Sequence, residues 1–332
     1  MREYVAQWSS PAWRAEMEAW IEEALAARGE HVVAVREGRV RGWGVTLVAE
    51  TLEGIYWAKE GHPATPREPA VLEWLAAAAP ERLVPIVRLD ASTRRVLSAD
   101  AGPTLSVRRR NTGVPDDDQT EAIRLAGAIG ALQSDVAATV GAATVMGVPR
   151  IDLRDPEREV ESRLERAGAL DADHPFFLSA DERREIRARY PLLRDLAARL
   201  GDVPDSLEHN DLHLGNAFDV GGTVRIGDFG DSVISHPFAS MRVLLASAAR
   251  MGLPFEPLVE AYLDAWNGAD AGGAADARAA LDAATRLAAI QRFDLWIHIG
   301  AVTPRDQVEE WVPYARPLLR QIGAPLAELT EF

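Results

Sequence analysis

Hydrophobic and polar positions along the chain repeat with two periods, and the changes of period divide it. Between Pro11 and Arg28, Trp13, Met17, Trp20, Ala24 and Leu25 share one face at helical spacing. Ser10 suits a cap, Pro11 a first helical position and Gly29 a stop. From His31 to Glu60 the period drops to two and glycines stand at turn positions. This predicts antiparallel strands over about 31–36, 43–51 and 54–60. A helix follows over "PREPAVLEWLAAAAP", then two strand-like runs, "LVPIVRLD" and "RRVLSAD". Beyond "AGPT" the pattern is helical over 121–147, 155–170 and 180–200. It is interrupted by "SLEHNDLHLGNAFDV" and "TVRIGDFGD", and becomes helical again from Phe238 to the end. The stretch "NGADAGGAADARAALDAA" reads as an exposed connection running into a helix. The pattern therefore predicts an α+β protein: a small β-rich lobe over residues 1–100 and a larger, mostly helical lobe over 101–332. The join lies near Ala99–Pro103, and the cleft between the lobes is the natural place for a ligand.

Composition narrows this picture. At 332 residues the chain is long enough for two lobes, and 47% hydrophobic with 26% charged residues is the make-up of a globular protein. A formal net charge of -15 argues against a nucleic-acid surface, which needs a basic face. With no cysteine, thiolate metal sites, disulfides and cysteine nucleophiles are excluded. "MREYVAQWSS" has no apolar core of a signal peptide, and no run of about eighteen apolar residues occurs. The expectation is a cytoplasmic protein without a membrane partner.

The candidate chemistry sits in the interruption. "HNDLHLGN" places His209, Asn210, Asp211, His213 and Asn216 within eight residues, and Asp228 follows a strand-like run in "IGDFGD". Phosphoryl transfer from a nucleotide needs a carboxylate at the attacking hydroxyl. It also needs an amide oxygen and a second carboxylate to hold Mg²⁺ against the phosphates. The spacing H-x-D-x-x-x-x-N followed by D-F-G is the pattern of a kinase catalytic loop and metal loop. Zinc-protease helices, hydrolase nucleophile elbows and Walker A runs do not occur.

With these motifs the chain resembles the aminoglycoside phosphotransferase and choline-kinase-like family of the protein-kinase-like superfamily, from Val32 to Leu245. His213 matches the small-molecule branch, and Asn210 stands where protein kinases put arginine. The resemblance implies a two-lobed kinase-like fold and ATP (or GTP) with Mg²⁺ as cofactors. It implies Asp211 as catalytic base, Asn216 and Asp228 as metal ligands, His209 stabilising the loop backbone and His213 packing beneath it. It also implies a third-strand lysine for the nucleotide phosphates. Lys59 ends "GIYWAK" and is the only lysine in the chain. Its helix partner would be Glu68, with Glu73 as runner-up, although Thr65 and Glu68 also spell a capping box. Gly42 and Gly44 in "EGRVRGWG" would cover the phosphates, and backbone groups near Ala99 and Ala101 would meet the adenine edge.

The sequence departs from the family where an acidic G-D-P-x-x-D-L segment is usual. Here it reads "ISHPFASMRVL", with His236 and Ser240 in place of the acids, which puts the local hydrogen bonding in question. Asp231 is a candidate substrate contact, with a solvated or capping role as the alternative. The C-terminal helices, including "RLAAIQRFDLWIHIGAV", fall where the family builds its acceptor pocket. Phe255–Phe332 holds twelve acidic residues against six arginines. The expected partner is a small-molecule acceptor, amine-bearing if those carboxylates wall the site and an ordinary solvated surface if they do not. A catalytically silent nucleotide- or metabolite-binding protein of the same fold is the rival reading.

Overall fold

Nine strands and the helices that cover them can be followed in a computed structural model that describes residues 4–112, 116–266, 274–301, 303, 308, 312–320 and 322–325. A short α1 (Tyr4–Trp8) leads into α2 (Pro11–Ala26), where the Ser10 hydroxyl accepts the Trp13 N–H at 3.2 Å. The expected apolar face of α2 is buried, together with Ile21. It packs on Val45, Leu47, Ala49, Tyr56, Ala58 and Leu97 from one face of a sheet.

That sheet holds β1 (Ala34–Arg41), β2 (Gly44–Glu50), β3 (Ile55–Gly61), β4 (Ile86–Asp90) and β5 (Arg95–Ala99), in the order β1-β2-β3-β5-β4 with antiparallel neighbours. Between β3 and β4 lies α3 (Glu68–Ala78). The first strand runs later than its apolar residues predict. It is an edge strand carrying exposed charged residues, so the ladder to β2 rather than burial defines it. Its register shifts between Glu37 and Val40. Gly38 is needed inside this irregularity, because a Cβ there would stand 2.6 Å from Thr46 Oγ1.

The rest is mostly helical: α4 (Leu105–Thr112), α5 (Asp116–Val136), α6 (Val140–Val145), α7 (Pro156–Gly168), α8 (Ala180–Arg187), α9 (Tyr190–Ala197), then α10 (Met241–Arg250), α11 (Glu256–Ala265), α12 (Ala274–Leu287), α13 (Ala289–Gly300) and α14 (Val312–Arg320). The helix expected over 180–200 is two helices. Pro191 lies in the first turn of α9, and its ring and missing N–H disfavour helix just before it. α4 has no counterpart in the predicted pattern. The start of the Ala/Gly/Asp-biased connection, 267–273, lies outside the described residues. Residues 118–145 are long and apolar enough by composition to cross a membrane, but Ala122, Leu125, Ala126, Ile129 and Leu132 are fully buried in the protein core.

Four short strands sit beneath the sheet among these helices. β6 (Ser206–Glu208) pairs with β9 (Val233–Ser235), and β7 (Ala217–Val220) forms a hairpin with β8 (Thr223–Ile226). The hairpin turns at Gly221 and Gly222, both at positive φ, as a tight two-residue turn requires.

The parity of β3 joins the sheet's two sides. Tyr56, Ala58 and Glu60 face α2, while Trp57 and Lys59 face the helical side. Glu60 is buried and accepts the indole N–H groups of Trp8 and Trp13, each at 3.0 Å, and Arg95 Nε at 2.9 Å. Glu60→Ala is expected to lower stability by about 2–4 kcal/mol, because it leaves two buried indole donors unpaired and the buried Arg95 with Glu16 as its remaining carboxylate. Urea denaturation of the two proteins checks this. An unchanged midpoint would show that the cluster does not anchor α2.

Candidate active site

Strand alternation delivers Lys59 to the cleft, and its ammonium meets two carboxylates there. Lys59 Nζ lies 2.8 Å from Glu68 Oε2 and is also hydrogen-bonded to Asp228 Oδ1. Burial pushes the Lys59 ammonium down, but the charges of Asp228 and Glu68 outweigh it and hold the group protonated. Glu68 occupies the first turn of α3. The helix is capped by Arg67 with no side-chain bond, so the Thr65 capping box does not form. Glu73 is exposed.

The loop between β6 and β7 brings the second group of polar residues together. Asn210 and Asp228 adopt φ of 62° and 60°, a left-handed conformation that asparagine and aspartate tolerate better than bulkier residues. Asp211 points into the cleft with three partners. Arg292 Nη1 donates to its Oδ1 at 3.0 Å, Asn216 Nδ2 donates to its Oδ2 at 3.3 Å, and His213 Nε2 lies 3.5 Å from Oδ2. Burial raises the Asp211 carboxyl, but Arg292 first and then His213 outweigh it and keep it below the usual carboxylate range. Arg292 comes from α13, is buried, and also donates to the Asn210 carbonyl. A cation from another helix thus stands beside the loop that has asparagine at position 210.

The loop's supports meet one expectation and correct another. His209 is fully buried against Phe229. Its Nε2–H donates to the Gly227 carbonyl at 3.1 Å, and its Nδ1 accepts the Asp211 N–H at 3.3 Å. His213 does not pack beneath the loop. Its Nδ1 accepts the Gly215 N–H at 3.0 Å, and the ring turns toward Asp211 in the cleft. A Cβ at Gly215 would lie 2.7 Å from that ring. Local hydrogen bonding survives without the acidic segment, since Ser240 Oγ accepts the His209 N–H at 2.9 Å and the Gln133 amide at 3.0 Å. His236 Nδ1 accepts the Phe238 N–H at 3.3 Å.

Two chambers of about 650 and 640 Å³ meet at Trp43, Lys59, Glu68, Gly215 and Asp228. The outer one is lined by Gly44, Ala99, Ala101, Asn216 and the hairpin of β1 and β2. Gly42 forms the hairpin turn and is not part of the lining. The Ala99 N–H donates to the Pro85 carbonyl at 2.8 Å, so a ligand at this edge would meet its carbonyl rather than its amide. The inner chamber holds Asp211, His213, Asp231 and Arg292. Burial first, and then the charge of Asp211, push the Asp231 carboxyl up to about 7 against the pull of Arg292 3.7 Å away.

The described part of the C-terminal segment supplies no acidic wall. Glu256, Glu260, Asp264, Asp276, Asp282 and Asp294, the described acids of the C-terminal segment, do not line the chamber. Asp294 is paired with Arg163 and Arg166, and Glu256 and Glu260 with Arg278. Arg292, Trp43 and Trp296 are site residues that the sequence reading missed. The available signal for Arg292 was an arginine inside the largely apolar run "LAAIQRFDLW".

No family model and no curated protein matches the sequence. Solved structures do match in shape. The chain is similar to the choline kinase LicA from Streptococcus pneumoniae, with 15% identity, 92% of this chain and 99% of that one covered, and a TM-score of 0.58. It is also similar to aminoglycoside 2'-phosphotransferase-IIIa in its GDP complex (15%, 92% and 98%, 0.57) and to an ethanolamine kinase from Plasmodium vivax (11%, 86% and 80%, 0.58). The shared property is the fold: a small antiparallel sheet region over a larger helical region, as in the kinase-like phosphotransferases.

Glu208, at the end of β6, is buried, and its Oε1 accepts the Asn210 N–H at 2.8 Å. Burial pushes its carboxyl from 4.5 up to about 8. The folded protein therefore keeps a proton that the unfolded chain releases, and this group destabilises the fold progressively as pH rises from about 4.5 to about 8. The largest slope is ~1.4 kcal/mol per pH unit. Glu208→Gln keeps the acceptor and removes the titration. It is expected to be more stable than the parent at pH 8 and equal to it at pH 4. Identical pH profiles in urea denaturation would exclude a protonated Glu208.

Proposed function

We propose that the protein transfers the γ-phosphoryl group of ATP, or GTP, to a hydroxyl of a small molecule. One observation carries the reading: Asp211, kept ionised by Arg292, stands on the floor of the inner chamber, with Asp228 at the boundary to the outer one and Asn216 in the outer lining. The fold likeness supports it, since the similar structures are named as choline, ethanolamine and aminoglycoside kinases, one of them in complex with GDP.

In this reading the outer chamber takes the nucleotide. Its base lies against the Ala99 carbonyl and the Ala101 backbone, and its phosphates lie beneath Gly44. Lys59 donates to phosphate oxygens, and Glu68 keeps the ammonium in place when Asp228 is drawn toward a cation. Asn216 Nδ2 donates to the Asp211 carbonyl at 3.0 Å, which leaves the amide oxygen as the ligand atom. The Asp228 carboxylate is half exposed. These two hard oxygen donors would suit Mg²⁺, which takes oxygen ligands. Bound there, the ion would neutralise the phosphate charge during transfer. Asp211 accepts or orients the proton of the acceptor hydroxyl, which then attacks the γ-phosphorus as the bond to the leaving diphosphate breaks. His213 and Arg292 hold the carboxylate in its charged form.

Asp211→Ala is expected to lower kcat roughly 10²–10⁴-fold while nucleotide affinity stays within about twofold, measured by label transfer and nucleotide titration. Equal loss of nucleotide binding would make Asp211 a ligand rather than the base. Lys59→Ala should raise KM for ATP at least about tenfold, because a charge-assisted contact to phosphate is lost. An unchanged KM and kcat would remove Lys59 from the site.

A further inference from the structure

The inner chamber has a character that the catalytic residues do not account for. Beyond the catalytic floor its wall is built from Val243, Met251, Leu295, Trp296, Ile299 and Leu318. Val243, Leu295, Ile299 and Leu318 are 2–4% exposed, which makes this wall part of the packed interior. Among the described residues that wall has no carboxylate, and its charged side chain is Arg250, which donates to Ser247 Oγ at 3.2 Å. At the mouth, Trp43 from the turn of the first hairpin meets Trp296 of α13 edge-on, with ring centroids 6.2 Å apart. Trp43 lines both chambers and Trp296 only the inner one. Trp296 is one turn beyond Arg292 on the same helix, so the aromatic wall and the group that holds Asp211 form one rigid unit.

Resting on the phosphotransfer reading, we infer that the acceptor is an uncharged alcohol with a sizeable apolar body, held between that wall and the Trp43–Trp296 pair. A polyamine would lose water from several ammonium groups here and find, among the described residues, no carboxylate outside the catalytic floor and Asp231. A small amino alcohol would leave most of about 640 Å³ unfilled. A neutral alcohol gains from both features, since its apolar body displaces water from the aliphatic wall and stacks on the indoles.

The test uses the full chain, Mg²⁺ and γ-labelled ATP with methyl, phenyl and octyl β-glucoside, which keep the hydroxyls and vary the apolar body. Kanamycin and choline are the cationic arms. The expected result is a kcat/KM for phenyl or octyl glucoside at least about tenfold above methyl glucoside and above both cations. Trp296→Ala should lose about tenfold of that gain through the acceptor KM, with the KM of ATP unchanged. Trp43→Ala, at an exposed turn outside the core, is the second variant and should lose a similar share. Higher kcat/KM for kanamycin or choline, or equal values along the glucoside series, overturns the inference. Slow ATP hydrolysis that depends on Asp211, without labelling of any glucoside, overturns it and leaves phosphotransfer standing. Absence of both hydrolysis and transfer overturns the phosphotransfer reading itself.

Discussion

One ammonium group holds the cleft together. Lys59 draws Glu68 from α3 and Asp228 from the loop after β8 to the same point, across 169 positions in the case of Asp228. Two carboxylates this close would repel each other, and a buried cation alone would lose its proton. Between them Lys59 stays protonated, and its charge pulls the Glu68 carboxyl down against the larger upward push of burial. Position matters as much as charge. β3 is anchored on its opposite face by Glu60, so the root of Lys59 is set by the sheet and α2, and only its stem is free to follow a phosphate.

A second cation organises the other half of the site. Arg292 reaches the Asn210 carbonyl and Asp211 from α13, and Asp231 stands 3.7 Å away. The loop itself is fitted to receive it: left-handed Asn210, the buried His209 and Ser240 in place of an acidic partner present the Asp211 carboxylate to the chamber. Arg292 and the chamber residues Leu295, Trp296 and Ile299 therefore share one helix, and a change that repacks α13 acts on all of them.

Burial without full compensation is concentrated here as well. Glu208 and Asp231 are both pushed up toward neutral pH, and Asn210 Oδ1 and Glu208 Oε2 are buried with no hydrogen-bond partner among the described residues. Such groups weaken the fold locally and are tolerated where geometry is needed for chemistry. The anchors lie elsewhere, in the apolar contact between α2 and the sheet and in the helical core around α5.

The chain's local order was legible without coordinates. The buried face of α2, the parity that separates Lys59 from Glu60, and the spacing that gathers His209, Asp211 and Asn216 follow from backbone periods and loop lengths of a few residues, which short stretches determine by themselves. The start of β1 was misjudged because an edge strand is held by its ladder rather than by burial. Everything that depended on direction across long separations waited for the tertiary structure. Glu68 rather than Glu73 met Lys59 because α3 packs that side toward β3. His213 turned into the cleft because its ring caps Gly215. The described acids of the C-terminal segment lie outside the chamber lining, since a count of charges carries no orientation. Arg292 reached Asp211 across 81 positions, through helix packing that no local pattern encodes.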